Sequence, residues 1–147
     1  MPAPYLGGCE CGAIRYRIGS EPVAIYACHC TICQTQSGSA FGMAMRVPKE
    51  HFHLTKGELK TFVRTAESGQ TFTNSFCADC GTRIHHRPDR FPDQISLKSG
   101  TLDDTSWVKP SHHLFMRSAV PWFIVPVDAE TSDAMPEDRS WLSGAKT

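Results

Sequence analysis

Cys28-His29-Cys30-Thr31-Ile32-Cys33 places three cysteines within six residues. If the segment enters as a strand, Cys28 and Cys30 turn to one face, because side chains alternate. Cys30 and Cys33 have the C-x-x-C spacing with which a turn brings two sulfurs onto one ion. Three thiolates can therefore converge from a single local segment. Three protein ligands plus an open position is the pattern of a catalytic zinc, and four ligands that of a closed structural one. The other four cysteines come as two pairs, Cys9-Glu10-Cys11 and Cys77-Ala78-Asp79-Cys80, and two pairs make one closed four-sulfur site. The seven cysteines thus divide as four plus three.

A chain of 147 residues, 40% of them hydrophobic, fits one globular domain with a real core. Its formal net charge of zero argues against a nucleic-acid partner and against a polybasic membrane anchor. The start, Met1-Pro2-Ala3-Pro4-Tyr5-Leu6, has neither the charged beginning nor the apolar run of a signal peptide. No apolar run reaches the roughly 18 residues of a membrane span. The expected location is cytoplasmic, where paired cysteines bind metal more often than they form disulfides. An odd cysteine count also leaves a disulfide framework incomplete.

The rest of the chain reads as short strands. Ile14, Tyr16 and Ile18 alternate with Arg15 and Arg17, the pattern of a half-buried strand. Val23 to Ala27 is a second strand that delivers Cys28, and Gln34 to Ser39 reads as a polar loop near the metal. Further strands are expected from Phe41 to Val47, at Phe52-His53-Leu54, from Leu59 to Arg64, and from Thr71 to Phe76 with Phe72 and Phe76 inward. Arg83 to Arg87, Gln94 to Lys98, His112 to Met116 and Trp122 to Val127 complete the set. From Asp128 on the chain is polar, with a short helix expected near 136–142. The fold class is mainly β, with a main domain over 1–127 and a polar extension over 128–147. Binding of a structural zinc supplies about 10–16 kcal/mol of apparent folding energy, which compensates for strands that pack weakly.

Two chemistries remain open at Cys28/Cys30/Cys33. One is an open zinc that takes a thiol or a water, since a coordinated thiol loses its proton outright. The other is a second structural site closed by His29, His85, His86 or His112. His29 is the weakest closer, because on a strand it faces away from its neighbours; it can orient the site from behind instead. Gln34, Ser37 and Ser118 are candidates for binding a polar substrate, although such residues commonly make loop hydrogen bonds. Trp122 and Phe123 are pocket wall or core. Arg15, Arg17, Arg46, Arg64 and Arg117 suit carboxylates or simply form the solvated face. Met43 and Met45 lie at strand period with Phe41 and read as core rather than as copper ligands.

Taken together, Gly7-Gly8-Cys9-Glu10-Cys11-Gly12-Ala13-Ile14-Arg15-Tyr16, Cys28 to Gln34 with Ser37-Gly38, and Phe76-Cys77-Ala78-Asp79-Cys80-Gly81-Thr82 carry a resemblance. Leu97-Lys98-Ser99-Gly100-Thr101-Leu102-Asp103-Asp104, His113-Leu114 and Ser118-Ala119-Val120-Pro121-Trp122 extend it. Over residues 5–126 the chain resembles the glutathione-dependent formaldehyde-activating enzyme family, which also includes the centromere protein V domain. The resemblance implies a β-tent of small antiparallel sheets stitched by two zinc ions. It implies a structural zinc on Cys9, Cys11, Cys77 and Cys80, and a catalytic one on Cys28, Cys30 and Cys33. The implied activity is of the carbon–sulfur lyase type, joining formaldehyde to glutathione as S-(hydroxymethyl)glutathione. The implied partner is a small thiol such as glutathione or its adduct. A non-catalytic zinc module that binds a protein is the alternative.

Overall fold

Short strands of alternating burial build the chain, in a computed structural model that describes residues 2–143. β1 (Tyr5–Gly8) pairs antiparallel with β2 (Arg15–Ile18), where Tyr16 and Ile18 are buried and Arg17 faces out. β3 (Ala24–Cys28) leads into α1 (Thr31–Ser37), then β4 (Gly42–Pro48) and β5 (Phe52–Lys56). β6 (Leu59–Thr65) and β7 (Thr71–Cys77) form a hairpin. β8 (Arg83–Pro88), β9 (Gln94–Lys98), β10 (His112–Leu114) and β11 (Glu130–Thr131) follow.

β1, β2 and β5 make a three-stranded sheet, and the other eight strands make one sheet in the order β11-β10-β3-β4-β9-β8-β7-β6. β10 runs parallel to β3 and to β11, while the remaining pairs are antiparallel. The fold is mainly β, as expected, with the larger sheet mixed rather than purely antiparallel. The core lies between the sheets. Tyr5, Ile14, Tyr16 and Ile18 come from the small sheet and its flank, and Met45, Val47, Ile84, Ile95 and Leu97 from the large one. Full burial of one such aliphatic side chain contributes about 1.5–3 kcal/mol. The outer face of the central strands is covered too. Tyr26, Ala44 and Leu114 pack there with Trp141 and Leu142, and the Tyr26 hydroxyl donates to Ser96 Oγ at 2.8 Å. Among the described residues no helix is long and apolar enough to cross a membrane.

Four local expectations are corrected. The stretch Gln34 to Ser39 is mostly helix, not loop. Cys30 caps α1 through its sulfur, which accepts from the Cys33 amide at 3.3 Å, and Gly38 closes it at φ 60. No residue of α1 is buried, so it lacks the apolar period by which helices are recognised. Trp122 to Val127 is not a strand. Pro121 and Pro126 carry no N–H for a ladder, and Trp122, Ile124 and Val127 are exposed. Phe72 and Phe76 are only half-buried and stand outside the core. Phe76 instead meets Phe62 of the neighbouring strand at 5.8 Å. The strand expected to reach Met116 stops at Leu114, because Phe115 takes left-handed backbone at φ 57.

The extension expected over 128–147 is described only to residue 143; residues 144–147 lie outside the described residues. Its described part rejoins the sheet through β11, and a single 3-10 turn, Ser140–Leu142, stands where the short helix was expected. Trp141 there stacks on His112 with ring centres 4.0 Å apart.

Candidate metal centres

The turn after β1 carries Cys9 and Cys11, and the end of β7 with the turn beyond carries Cys77 and Cys80. Their four sulfurs lie within 4.8 Å of one another. Sulfurs about 2.3 Å from one tetrahedral zinc sit about 3.8 Å apart, by the geometry of the tetrahedron. The Cys9–Cys11 and Cys11–Cys77 separations are 3.6 and 3.8 Å, so the donor set fits zinc and is far too open for disulfides. The surrounding backbone already favours thiolates. The Ile14 amide donates to Cys9 Sγ at 3.2 Å, and the Thr82 hydroxyl and amide pull Cys80 down to about 6. Gly81 holds the turn at φ 78, with its amide on the Cys77 carbonyl.

The second cluster is Cys28, Cys30 and Cys33, again with sulfurs within 4.8 Å of one another. Cys28 ends β3, Cys30 is the cap, and Cys33 lies in the first turn of α1. Gly42 of β4 faces Cys33 so closely that an added Cβ would lie 3.3 Å from Cys33 Cβ. The three thiols oppose one another's ionisation. Hydrogen bonds from Cys28 and Cys33 pull Cys30 down to about 2, while Cys30 and Cys33 push Cys28 far up. A doubly charged cation among them removes that opposition, so three thiolates at one point are a metal-binding set.

Among the described residues no histidine joins either group. His29 is fully buried and turned away, as its place in the alternation predicts. Its Nε2 lies 3.0 Å from His113 Nδ1, and its ring packs on Phe123 at 4.7 Å and on Phe41 at 5.1 Å. Burial holds both imidazoles below their usual value. His85 and His86 sit on β8 and His112 beside Glu130, all outside the cluster.

Gln34 is a brace. Its Nε2 donates to the His29 carbonyl at 2.9 Å and to the Ser118 carbonyl at 2.8 Å, tying α1 to the turn after β10. Ser37 donates to the Phe41 carbonyl at 3.2 Å and also lines the cavity beside Cys33. Trp122 stands 71% exposed, and its neighbour Phe123 is the ring that turns inward. Of the arginines, Arg15 pairs with Asp103, and Arg64 and Arg117 lie over Phe72 and Phe115. Arg46 is buried with its Nε unpartnered.

A cavity of about 400 Å³ opens beside Cys33, reaching from Gly42 to Gly81 in the turn after Cys80. Arg83 and Lys98 line it, and neither stands out in the sequence as a site residue. Burial, with Arg83 close by, pushes the Lys98 ammonium down to about 8. A signal existed in the register. Ile95 and Leu97 face the core, which puts Ser96 and Lys98 on the opposite face of a strand with neighbours on both sides.

The family model for glutathione-dependent formaldehyde-activating enzymes matches residues 4–118. A Halomonas elongata protein provisionally named a glutathione-dependent formaldehyde-activating enzyme is 26% identical over 133 residues, 86% of this chain and 83% of that one. A Talaromyces marneffei protein with the same provisional name is 22% identical over 115 residues, 76% of this chain and 60% of that one. A crystal structure of a Rhodobacter sphaeroides protein shares the fold at a TM-score of 0.53 and 19% identity, covering 67% of this chain and 87% of that one. The matched stretch runs from β1 past β10 and takes in both cysteine clusters, and the chain belongs to the glutathione-dependent formaldehyde-activating enzyme family.

Proposed function

We propose that the chain is a zinc-dependent enzyme of the carbon–sulfur lyase type that acts on a thiol or thiol adduct at Cys28, Cys30 and Cys33. Its nearest reaction is the joining of formaldehyde to glutathione as S-(hydroxymethyl)glutathione. The observation that carries this reading is a cluster of three cysteines with no fourth protein donor among the described residues, set against an open cavity. The four-cysteine cluster is the structural zinc in this reading, with residues 1–127 as the metal-binding unit and 128–147 as its extension.

Zinc bound by the trio would supply Lewis acidity that holds a substrate thiol as thiolate at neutral pH. The residues supply position. The Cys30 cap and the Gln34 brace fix α1, and so hold Cys33 against Gly42 at the cavity mouth. Ser37, on the cavity wall, is the candidate contact for the substrate; Ser118 acts only through the carbonyl that Gln34 holds, and the exposed Trp122 does not line the cavity. In the joining direction the thiolate sulfur attacks the aldehyde carbon. A C–S bond forms, the C=O π bond opens, and its oxygen takes up the proton the thiol released.

The test is cobalt substitution followed by titration with glutathione. A fourth sulfur should raise the sulfur-to-cobalt charge-transfer absorption and release a proton, and Cys33→Ala should abolish both. Exchange of labelled formaldehyde into the adduct, followed by NMR, should run faster than the uncatalysed reaction. A spectral change without faster exchange rejects formaldehyde and keeps the thiol site. No change with any thiol rejects the enzyme in favour of a protein-binding zinc module.

A further inference from the structure

The cavity beside Cys33 holds two cations and no acid. Its charged lining consists of Arg83 and Lys98 apart from the cysteine itself, and no Asp or Glu borders it. Neither cation has a carboxylate partner among the described residues. Arg83 donates to Asn74 Oδ1, while its buried Nε has no partner at all. Lys98 Nζ lies 3.2 Å from His86 Nδ1, a neutral ring held far below its usual value by burial. Neither side chain hydrogen-bonds a sulfur of the trio. Both cations lie in the field of the trio's sulfurs, Cys33 above all, but covering them with no carboxylate partner is costly, and the pair is placed to receive an anion. A guanidinium presents a planar fork that matches a carboxylate, and an ammonium adds a third donor direction. The cavity is at the small end of the range for ligand sites, about 300–1,000 Å³, which suits a small thiol rather than a macromolecule.

We propose that Arg83 and Lys98 form a carboxylate subsite, so that the three-cysteine centre selects thiols that carry a carboxylate over neutral ones. This rests on the thiol chemistry proposed above. The sulfur enters at Cys28, Cys30 and Cys33, and the acid group of the same molecule lies across the cavity toward Gly81. The bare trio, by contrast, discriminates only by sulfur.

The test uses the two-metal protein with cobalt in the second site. Glutathione and mercaptoacetate are titrated against glutathione diethyl ester and methyl thioglycolate, read by the charge-transfer band. S-methylglutathione, whose sulfur is blocked, is measured by calorimetry. The acids should bind about ten- to a hundredfold more tightly than their esters, as expected for loss of charge-assisted hydrogen bonds. Arg83→Gln and Lys98→Met, made separately, should each shrink that ratio several-fold while leaving the ester affinities and the circular dichroism unchanged. Each variant should also weaken S-methylglutathione. Equal affinity for acid and ester in the wild type overturns the subsite. So does an equal loss for both in the variants, which would mean that the cations only neutralise the thiolates. If S-methylglutathione binds through Arg83 while no thiol alters the cobalt spectrum, the carboxylate subsite stands and the thiol chemistry falls. If neither responds, both fall.

Discussion

Cys77→Ser and Cys30→Ser should separate the two centres. Serine preserves the size of each side chain but supplies no thiolate, so each change removes one donor from one ion. Treated as a cross-link, the four-cysteine ion joins Cys11 to Cys77 across 66 positions. Loop-closure entropy for that span is about 4 kcal/mol at 25 °C. The trio closes only the five positions from Cys28 to Cys33, for which the same relation gives about 2 kcal/mol. Cys77 is also buried, and its amide donates to the Thr82 carbonyl at 2.9 Å, so disorder there spreads into β7 and the turn to β8. Cys30 is half-exposed at a helix that buries nothing. Cys77→Ser should therefore lower the unfolding midpoint by roughly 8–16 °C for a chain of this size, and Cys30→Ser by about half of that or less. Thermal unfolding followed by circular dichroism, with zinc counted by native mass spectrometry, reads both effects. Cys30→Ser should keep one ion. Equal shifts for the two variants, or a Cys30→Ser protein with no zinc, would refute the division into a structural and an open site.

Leu97→Ala, at a side chain fully buried between the sheets, should cost about 2–5 kcal/mol in urea unfolding while leaving two zinc ions in place. A loss of metal along with stability would show that β9 sets the cysteine geometry. His85 gives a pH signature. Its ring lies edge-on to Phe52 at 4.9 Å, and burial, with Arg87 nearby, pushes its pKa down to about 4. The unfolded chain takes up the proton first, near pH 6.5, so the folded state loses stability from there down to about pH 4. The full loss is about 3 kcal/mol, and stability at higher pH is untouched by this group. His85→Leu should flatten that part of the unfolding free energy plotted against pH; parallel curves for variant and wild type would sink the argument.

Most of the fold was legible wherever alternation and turns agree. β2, β6 and β9 appear within a residue or so of their expected limits, because one face of each reads differently from the other or glycine and proline mark their ends. The cysteine partition was legible from spacing alone, since C-x-C, C-x-x-C and C-x-C-x-x-C are local geometries. What the chain hides is non-local. α1 is held by a sulfur cap, a left-handed glycine and the reach of Gln34 to Ser118, none of which has a period. The apolar run at 122–127 looked like a strand because composition carries no record of what pairs with it. Arg83 and Lys98 look like the solvated face of their strands until the pairing of β8 with β9 and the position of Cys33 put a cavity over them.

The β6–β7 hairpin joins the sheet through β7 alone, which pairs with β8 from Phe72 to Phe76. β6 is one edge strand of the large sheet and is exposed along most of its length, with Val63 at 62%. Little apolar burial opposes its opening, so amide protons near the tip, around Ala66 to Gly69, should exchange with solvent long before the rest of the sheet. At the base the situation reverses, because Leu59 lies opposite Cys77, one of the four clustered cysteines. Opening that starts at the tip can run down the ladder only as far as that clasp. Hydrogen exchange should therefore rise steeply in protection along one hairpin, from a loose outer end to a base that is released only when the metal leaves.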